Sequence, residues 1–489
     1  MSCPAQLPFP GCVVPLRRRS DRRPSLRAAH PSSDDAPLCR ESRGCWRSNG
    51  RLPVTLVERY ADGTAKRYVF HDELDVQTFP EGVNLADNYS KDSYFTVGML
   101  SWLPEAVKEF ILPAGFPESV SDDYLQYMLL QFPTNVTGWI CHALVTSSLL
   151  KAFGVGSFSG STAAASAAAI RWVSKDGIGA VGRLIIGGRF SSLFDDDPKQ
   201  WRMYADFIGS AGSIFDLTTQ LYPAYFLPLA SLGNLTKAVA RGLKDPSFRV
   251  IQNHFAVSGN LGEVAAKEEV WEVSAQLLGL ALGILILDTP GLVKSFPPLA
   301  FTWMSMRLFH LWLRYQSLSV LMFDTINLKR ACILVKSHVV NSKVSELEEC
   351  NKNENILLWQ RFIKPRIVLG ASLVELLGHD RSSSQVKSLL KLYGKERYIL
   401  TIRTDGKDWE ILIAFKVNAT SLSVLRAVWQ ASWLYENRES SDEVFGQLER
   451  SLSELENRFD DFLRQSHEVG WNIDQIKIKV PKGVTIDGA

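Results

Sequence analysis

Cysteine is scarce in the part of this chain that could fold. Of seven in 489 residues, Cys3, Cys12, Cys39 and Cys45 lie near the N-terminus, leaving Cys141, Cys332 and Cys350 widely spaced with no C-x-x-C pair. That excludes a disulfide framework and a cysteine zinc module, and it fits a reducing compartment. There is no H-E-x-x-H, no G-x-S-x-G and no Walker lysine after a glycine loop, which removes the zinc-peptidase, serine-hydrolase and P-loop patterns. The histidines of the body (His71, His142, His254, His310, His338, His379 and His467) stand apart in sequence, so any metal site would have to be assembled by the fold.

Residues 1–52 lack lysine but hold ten arginines, against Asp21, Asp34, Asp35 and Glu41. The net charge of +2 for the whole chain therefore hides a basic N-terminus on a slightly acidic body, with no general electrostatic case for nucleic acid. The first 48 residues are rich in Arg, Ser, Pro and Ala and have no secretory apolar run. They read as a transit peptide or disordered basic leader, and the prolines favour a plastid address.

Long unbroken apolar runs are also missing. Tyr124–Leu150 is interrupted by Pro133, Ala152–Ile170 is mostly Ala, Gly and Ser, and Leu217–Thr236 contains Pro223 and Pro228. The most apolar run, Val273–Leu287, rises about 22 Å as a helix, short of a hydrocarbon core of about 30 Å. Each is too apolar for a surface helix and too short or broken for a plain span. A buried helical core, a membrane-embedded bundle and partial insertion all fit.

The remaining pattern predicts a mainly α fold: a Gly/Ala-rich helical core domain, an N-terminal β-hairpin and a small α+β C-terminal domain. The boundaries are a leader over 1–48, a hairpin and linker over 49–98, the helical domain over 99–327, a polar connector over 328–355 and the C-terminal domain over 356–489. VTLVERY and AKRYVF flank a turn at Ala61-Asp62-Gly63. In the C-terminal domain RYILTI and WEILIAFKV flank Thr404-Asp405-Gly406-Lys407. Two helical patterns follow, and IDQIKIKV reads as a closing strand.

KDGIGAVGRL spells G-x-G-x-x-G at Gly177, Gly179 and Gly182. A dinucleotide fold needs a buried strand before the first glycine, whereas STAAASAAAIRWVSKD is helix-favouring and ends in two charges. The motif reads instead as a helix-ending KDG turn with close-packing glycines behind it.

Four segments recur together: ILPAGFPESVSDDYLQY (111–127), AIRWVSKDGIGAVGRL (169–184), DDDPKQWRMYADF (195–207) and NHFAVSGNLGEVAAKEE (253–269). In this order they resemble the root UVB sensitive family over about residues 100–290, and among its plant members the sixth paralogue. MLLQFPTNVTGW, after Tyr127, departs from the usual pattern. The resemblance implies roles in plant development, UV-B response and vitamin B6 homeostasis, plastid targeting, association among members and membrane segments. It implies no catalytic activity.

Charges inside the apolar block are few: Lys175, Asp176, Arg202, Asp206, Arg249 and Lys267 are the candidate polar cluster. Arg202 and Asp206 have the i, i+4 spacing of an ion pair. As a structural set these residues fix how helices meet. As a site, Arg202, Arg249 and Lys267 would form an anion-binding side suited to a phosphorylated vitamer. The expectation is a non-enzymatic plastid protein of this family, membrane-associated or oligomeric with other members, with no catalytic residues, metal or resident cofactor. The alternatives are a membrane carrier of a small anionic metabolite and a PLP-binding enzyme or sensor with a Schiff base at Lys175 or Lys267.

Overall fold

The structure is a computed structural model whose described residues are 54–59, 65–71, 75–81, 103–152, 173, 177–189, 194–291, 295–358, 364–377, 383–405, 408–438, 444–481 and 483–487. The leader over 1–48, the Ala61-Asp62-Gly63 turn and Lys175-Asp176 lie outside them. Near the N-terminus, β1 (Val54–Arg59), β2 (Ala65–His71) and β3 (Asp75–Glu81) form one sheet in that order. The third strand was not expected from the sequence.

The chain is mainly helical. Its helical domain comprises α1 (Glu105–Ile111), α2 (Tyr124–Ala152), α3 (177–189), α4 (Pro198–Thr218), α5 (Phe226–Phe255), α6 (Leu261–Leu287) and α7 (Phe296–Ser319). Pro133 does not interrupt α2, contrary to the sequence reading. Nearby hydroxyls stay within the helix: Thr134 donates to Leu130 O at 2.7 Å and Thr137 to Pro133 O at 3.0 Å. Helix α4 begins at Asp197, whose Oδ1 accepts from Gln200 N at 3.1 Å, with Pro198 following. That is the side-chain cap and first-turn proline that helix starts favour.

Residues 177–189 are helical, so Gly177 belongs to a helix, while Lys175 and Asp176 of the expected KDG turn lie outside the described residues. The close-packing role of the glycines stands. A Cβ on Gly179 would lie 2.5 Å from Asn234 Nδ2, and one on Gly182 would lie 2.9 Å from Leu235 Cδ1. The two glycines, three apart, let α3 lie against α5, and a dinucleotide clamp is not what they build.

Two apolar layers run across the bundle. One gathers Tyr124, Tyr127, Met128, Ile251, Phe255, Val264, Leu318 and Phe323. The other gathers Val136, Ile140, Leu144, Leu217, Phe226, Ala275, Leu299 and Trp303. Between these layers fall the buried Gln131 and Thr134 of α2, Glu268 of α6, and His310 and Arg314 of α7.

The C-terminal part is built on a hairpin, β5 (Tyr398–Asp405) antiparallel to β6 (Asp408–Lys416), with Asp405 opposite Asp408. This is the hairpin expected from RYILTI and WEILIAFKV. On the other edge of β6, β4 (Arg366–Leu369) and β7 (Thr485–Ile486) each pair with it in parallel. IDQIKIKV is not the closing strand: Ile473–Gln475 is a 3₁₀ turn, Ile478 is buried without pairing, and the strand comes later, at β7.

The stretch 328–355 is not an open connector. It forms α8 (Leu328–Asn341) and α9 (Leu347–Asn353), and Ala331, Leu334, Val335 and Cys350 join the same core as the sheet. Two helices complete that core, α12 (Ser421–Glu436) and α13 (Val444–Glu468). Between β4 and β5 lie α10 (Leu373–Leu377) and α11 (Ser383–Leu392). The polarity of 328–355 belongs to the outer faces of α8 and α9 and to the ion pairs described next.

Candidate functional site

Helices α4 and α7 each present two polar residues one turn apart to the space between the apolar layers. Arg202 Nη1 lies 3.2 Å from Asp206 Oδ2, as the i, i+4 spacing predicted. Arg314 Nε lies 2.6 Å and His310 Nε2 3.6 Å from the same oxygen. Arg314 also donates through Nη1 to Gln131 of α2. Burial works to raise the Asp206 pKa, but Arg202 and Arg314 overcome it and hold the carboxyl well below the usual range. His310 Nδ1 lies 2.9 Å from Thr134 O. A carbonyl only accepts, so that nitrogen carries the proton. Burial pushes the His310 pKa down to about 4, so the ring is neutral at ordinary pH and orients by hydrogen bonding.

The other side of this polar layer comes from α2, α5 and α6. Gln252 Nε2 donates to Glu268 Oε2 at 2.8 Å. Burial raises the Glu268 pKa to about 7. Tyr124 and Tyr127 border this layer from the apolar side: both rings pack on Phe255, with centroids 5.3 and 5.1 Å away, and Phe255 lies three residues from Gln252 on α5. Burial raises the pKa of both hydroxyls. Tyr124 OH, Tyr127 OH, Gln252 Oε1, Glu268 Oε1 and Arg202 Nε are all buried without a hydrogen-bond partner.

Of the residues singled out in the sequence, Arg202 and Asp206 enter this layer. Arg249 is exposed on α5. Lys267 donates to Glu109 O and Phe110 O, capping the last carbonyls of α1, the favoured place for a cation. The two are not an anion-binding side with Arg202. Lys175 and Asp176 lie outside the described residues. The residues missed are Tyr124, Tyr127, Gln252, Glu268, His310 and Arg314. Three of them lie within the quoted segments. His310 and Arg314, i and i+4 in FHLWLRY, could have been found as a polar pair in an otherwise apolar and aromatic helix.

The segment DDDPKQWRMYADF has a second use at its N-terminal end. Lys329 Nζ lies 2.7 Å from Asp197 Oδ2, and Lys199 Nζ lies 3.2 Å from Glu354 Oε2. Arg330 Nε lies 3.2 Å from that same oxygen, and Asn327 Nδ2 donates to Glu354 Oε1 at 3.0 Å. Burial would raise the Glu354 pKa, but Arg330 and Lys199 bring it down to about 2. Lys479 adds a pair to Asp195 at 3.1 Å. One segment thus ties the helical domain to α8, α9 and the C-terminal chain, then continues into the polar layer.

Among the described residues no group of three or more His, Cys, Asp or Glu could hold a metal. The three thiols are buried, with pKa values raised to about 11 for Cys141 and about 12 for Cys332 and Cys350. They stay protonated and are poor nucleophiles.

Comparison with known proteins divides the chain just after α8. Residues 99–342 match a family described as "Vitamin B6 photo-protection and homoeostasis domain", and residues 343–481 match "Root UVB sensitive protein, C-terminal". The chain is 61% identical over 507 residues to "Protein root UVB sensitive 5" of Arabidopsis thaliana, covering 100% of this chain and 99% of that protein. It is 29% identical to "Protein root UVB sensitive 6" of Arabidopsis thaliana, over 74% of this chain and 71% of that protein. The likeness to the sixth paralogue is corrected accordingly, in favour of the fifth. "Protein root UVB sensitive 2, chloroplastic" of Arabidopsis thaliana is 25% identical over 74% of this chain and 81% of that protein. No solved structure matches.

Proposed function

The chain belongs to the root UVB sensitive family, and from that premise we propose a non-enzymatic plastid protein that acts in vitamin B6 homoeostasis from a membrane surface, with the far end of its helical domain inserted. The observation that carries this reading is the inverted polarity of α6 and α7. Helix α6 meets α2 through a stripe of small residues, Ala275, Gly279 and Gly283, all buried. A Cβ on Gly279 would lie 2.7 Å from Val136 O, and one on Gly283 would lie 2.8 Å from Ala143 Cβ. The large residues point outward: Leu277, Ile284 and Leu285 on α6, and Phe301, Leu308 and Trp312 on α7, are all more than half exposed. His310 and Arg314 of α7 are buried and point inward. Small residues at helix contacts, large apolar residues outside and ionisable groups inside are how helices arrange themselves against lipid.

Only 17% of the most apolar window of α6 is buried. The run Val273–Leu287 rises about 22 Å, enough to enter the hydrocarbon but not to cross about 30 Å of it. The carrier reading calls for several spans. Among the described residues one helix is long and apolar enough by composition, so surface insertion is the better fit. The Arg-rich leader and a relative named chloroplastic support the plastid address. The family's names supply the UV-B and vitamin B6 setting. Other members of the family are the expected partners. A PLP Schiff base gains nothing from Lys267, whose ammonium caps α1.

The experiment is fractionation of full-length protein from plant cells followed by carbonate extraction. The protein is expected with plastid membranes and resistant to carbonate, and substituting Leu277 and Leu285 by glutamate is expected to release it. A wild-type protein found wholly in the stroma would overturn the membrane part of this reading.

A further inference from the structure

We propose that the polar layer of the helical domain is a binding site for a small oxyanion, a phosphate monoester or a carboxylate, held by Arg202 and the hydroxyls of Tyr124 and Tyr127. Gln252 Oε1 would accept from a donor on the same ligand. The site goes beyond the membrane reading and does not rest on it, since a protein that stayed soluble could carry it unchanged.

The case rests on which buried groups have partners. Tyr124 and Tyr127 are 0% exposed, Arg202 1%, Glu268 4% and Gln252 6%, yet each keeps a polar atom without a hydrogen-bond partner. A buried unpaired donor or acceptor is costly, and native proteins hold few of them. In the C-terminal core and at the junction, comparable buried groups are paired. Tyr398 OH donates to Gln430 at 2.8 Å, and Gln430 Nε2 donates to Tyr393 OH at 2.9 Å. Both oxygens of Glu354 are engaged. Unpartnered buried atoms also occur elsewhere, at Ser119, Ser231, Trp303 and Thr401 among others, but here five of them come from four neighbouring helices.

Their chemistry points to the ligand. Arg202 offers a cation and a free Nε–H, and the two tyrosines offer hydroxyl donors. Asp206 faces both Arg202 and Arg314, so one carboxylate stands against two guanidiniums. Lys244 and Glu272, 3.9 Å apart at the rim, offset each other. Arg307 adds a third guanidinium, donating to Asp206 O at 2.8 Å, so with Glu268 protonated the layer carries an excess of positive charge, which an anion would balance.

The groups facing Glu268 are Gln252 and Lys244 from α5, Glu272 from its own helix, Arg202 from α4 and the two tyrosines from α2. Burial raises the Glu268 pKa to about 7 and lowers that of Lys244. Anion affinity should then fall as pH rises through about 7.

The test uses the purified full chain in detergent, titrated calorimetrically with inorganic phosphate, acetate, pyridoxal 5′-phosphate and pyridoxal at pH 6 and pH 8. Saturable binding of at least one anionic probe is expected, tighter at pH 6. Phosphate against acetate separates the two oxyanion classes, and pyridoxal 5′-phosphate against pyridoxal shows whether the anionic group is what binds. Tyr127→Phe keeps the ring packed 5.1 Å from Phe255 and should weaken binding about tenfold, the usual loss of one hydrogen bond to a charged group. Arg202→Lys keeps the charge beside Asp206 and should weaken it as well, while Glu268→Gln should remove the pH dependence. The proposal is overturned if no anionic probe binds saturably to the folded protein, or if binding is unchanged in both Tyr127→Phe and Arg202→Lys.

Discussion

Asp206 is where removal of a single atom pair has the largest expected effect. Its carboxylate is the shared counter-ion of Arg202 and Arg314, both almost fully buried. Asp206→Ala leaves two guanidiniums facing each other in a dry layer and should cost about 3–5 kcal/mol, read as a lowered midpoint in thermal unfolding in detergent. Glu268 gives the opposite kind of effect. Its pKa in the folded state, about 7, lies above its ordinary 4.5, so the folded protein binds that proton more tightly. The resulting stabilisation is complete below about pH 4.5 and is lost as pH rises through about 7. Glu268→Gln should flatten the thermal midpoint across that window, and an unchanged slope would show that Glu268 does not titrate there. At this scale the sequence was partly legible. The Arg202/Asp206 pair follows from spacing alone, because i and i+4 share a helix face. Glu268 was not found, because its neighbour Lys267 carries the same kind of polarity. One residue turns the side chain by about 100° on a helix, and that separates a cap on α1 from a place in the interior.

Between elements, contacts in the helical domain are set by small residues. Gly279 is pressed on Val136 O and Trp139 Cβ, each 2.7 Å from where its own Cβ would stand. Gly279→Leu should push α6 off α2 and destabilise by at least about 1–3 kcal/mol. Leu285→Ala, on the exposed face of the same helix, should move stability by no more than about 0.5 kcal/mol. Comparing the two unfolding curves checks the inverted face directly; equal losses would mean that Leu285 is packed. The sequence showed α6 as an apolar run. It could not show which face turned outward, because nearly every residue of Val273–Leu287 is apolar and no polar side marks one. Pro133 misled for a different reason. A proline removes one backbone donor, but α2 is held on both sides by α6 and α7, and packing outweighs the local break. The connector over 328–355 misled because its lysines and glutamates look solvated in sequence, whereas Lys329, Arg330 and Glu354 are paired and buried.

At the largest scale, polarity differs between the helical domain and the C-terminal part. The C-terminal part holds an apolar core under a charged surface, with Leu448, Leu455, Phe459 and Phe462 of α13 turned inward. The Asp197–Lys329 and Glu354 pairs join it to the helical domain. Glu354 has its pKa lowered to about 2, so its contribution is present above about pH 4.5 and lost as pH falls toward 2. Glu354→Ala strands Lys199 and Arg330 and should make the junction near residue 358 more open to limited proteolysis at neutral pH than it is in the wild type. Beyond the polar layer the helices end in exposed leucine, phenylalanine and tryptophan. Depth-resolved fluorescence quenching tests this most directly, with a cysteine-attached fluorophore at position 285, at position 312 or at position 456 on the C-terminal part, in vesicles holding quencher at known depths in the acyl chains. Insertion of the far end predicts strong quenching at 285 and 312 and none at 456. Equal, weak quenching at all three positions would contradict it.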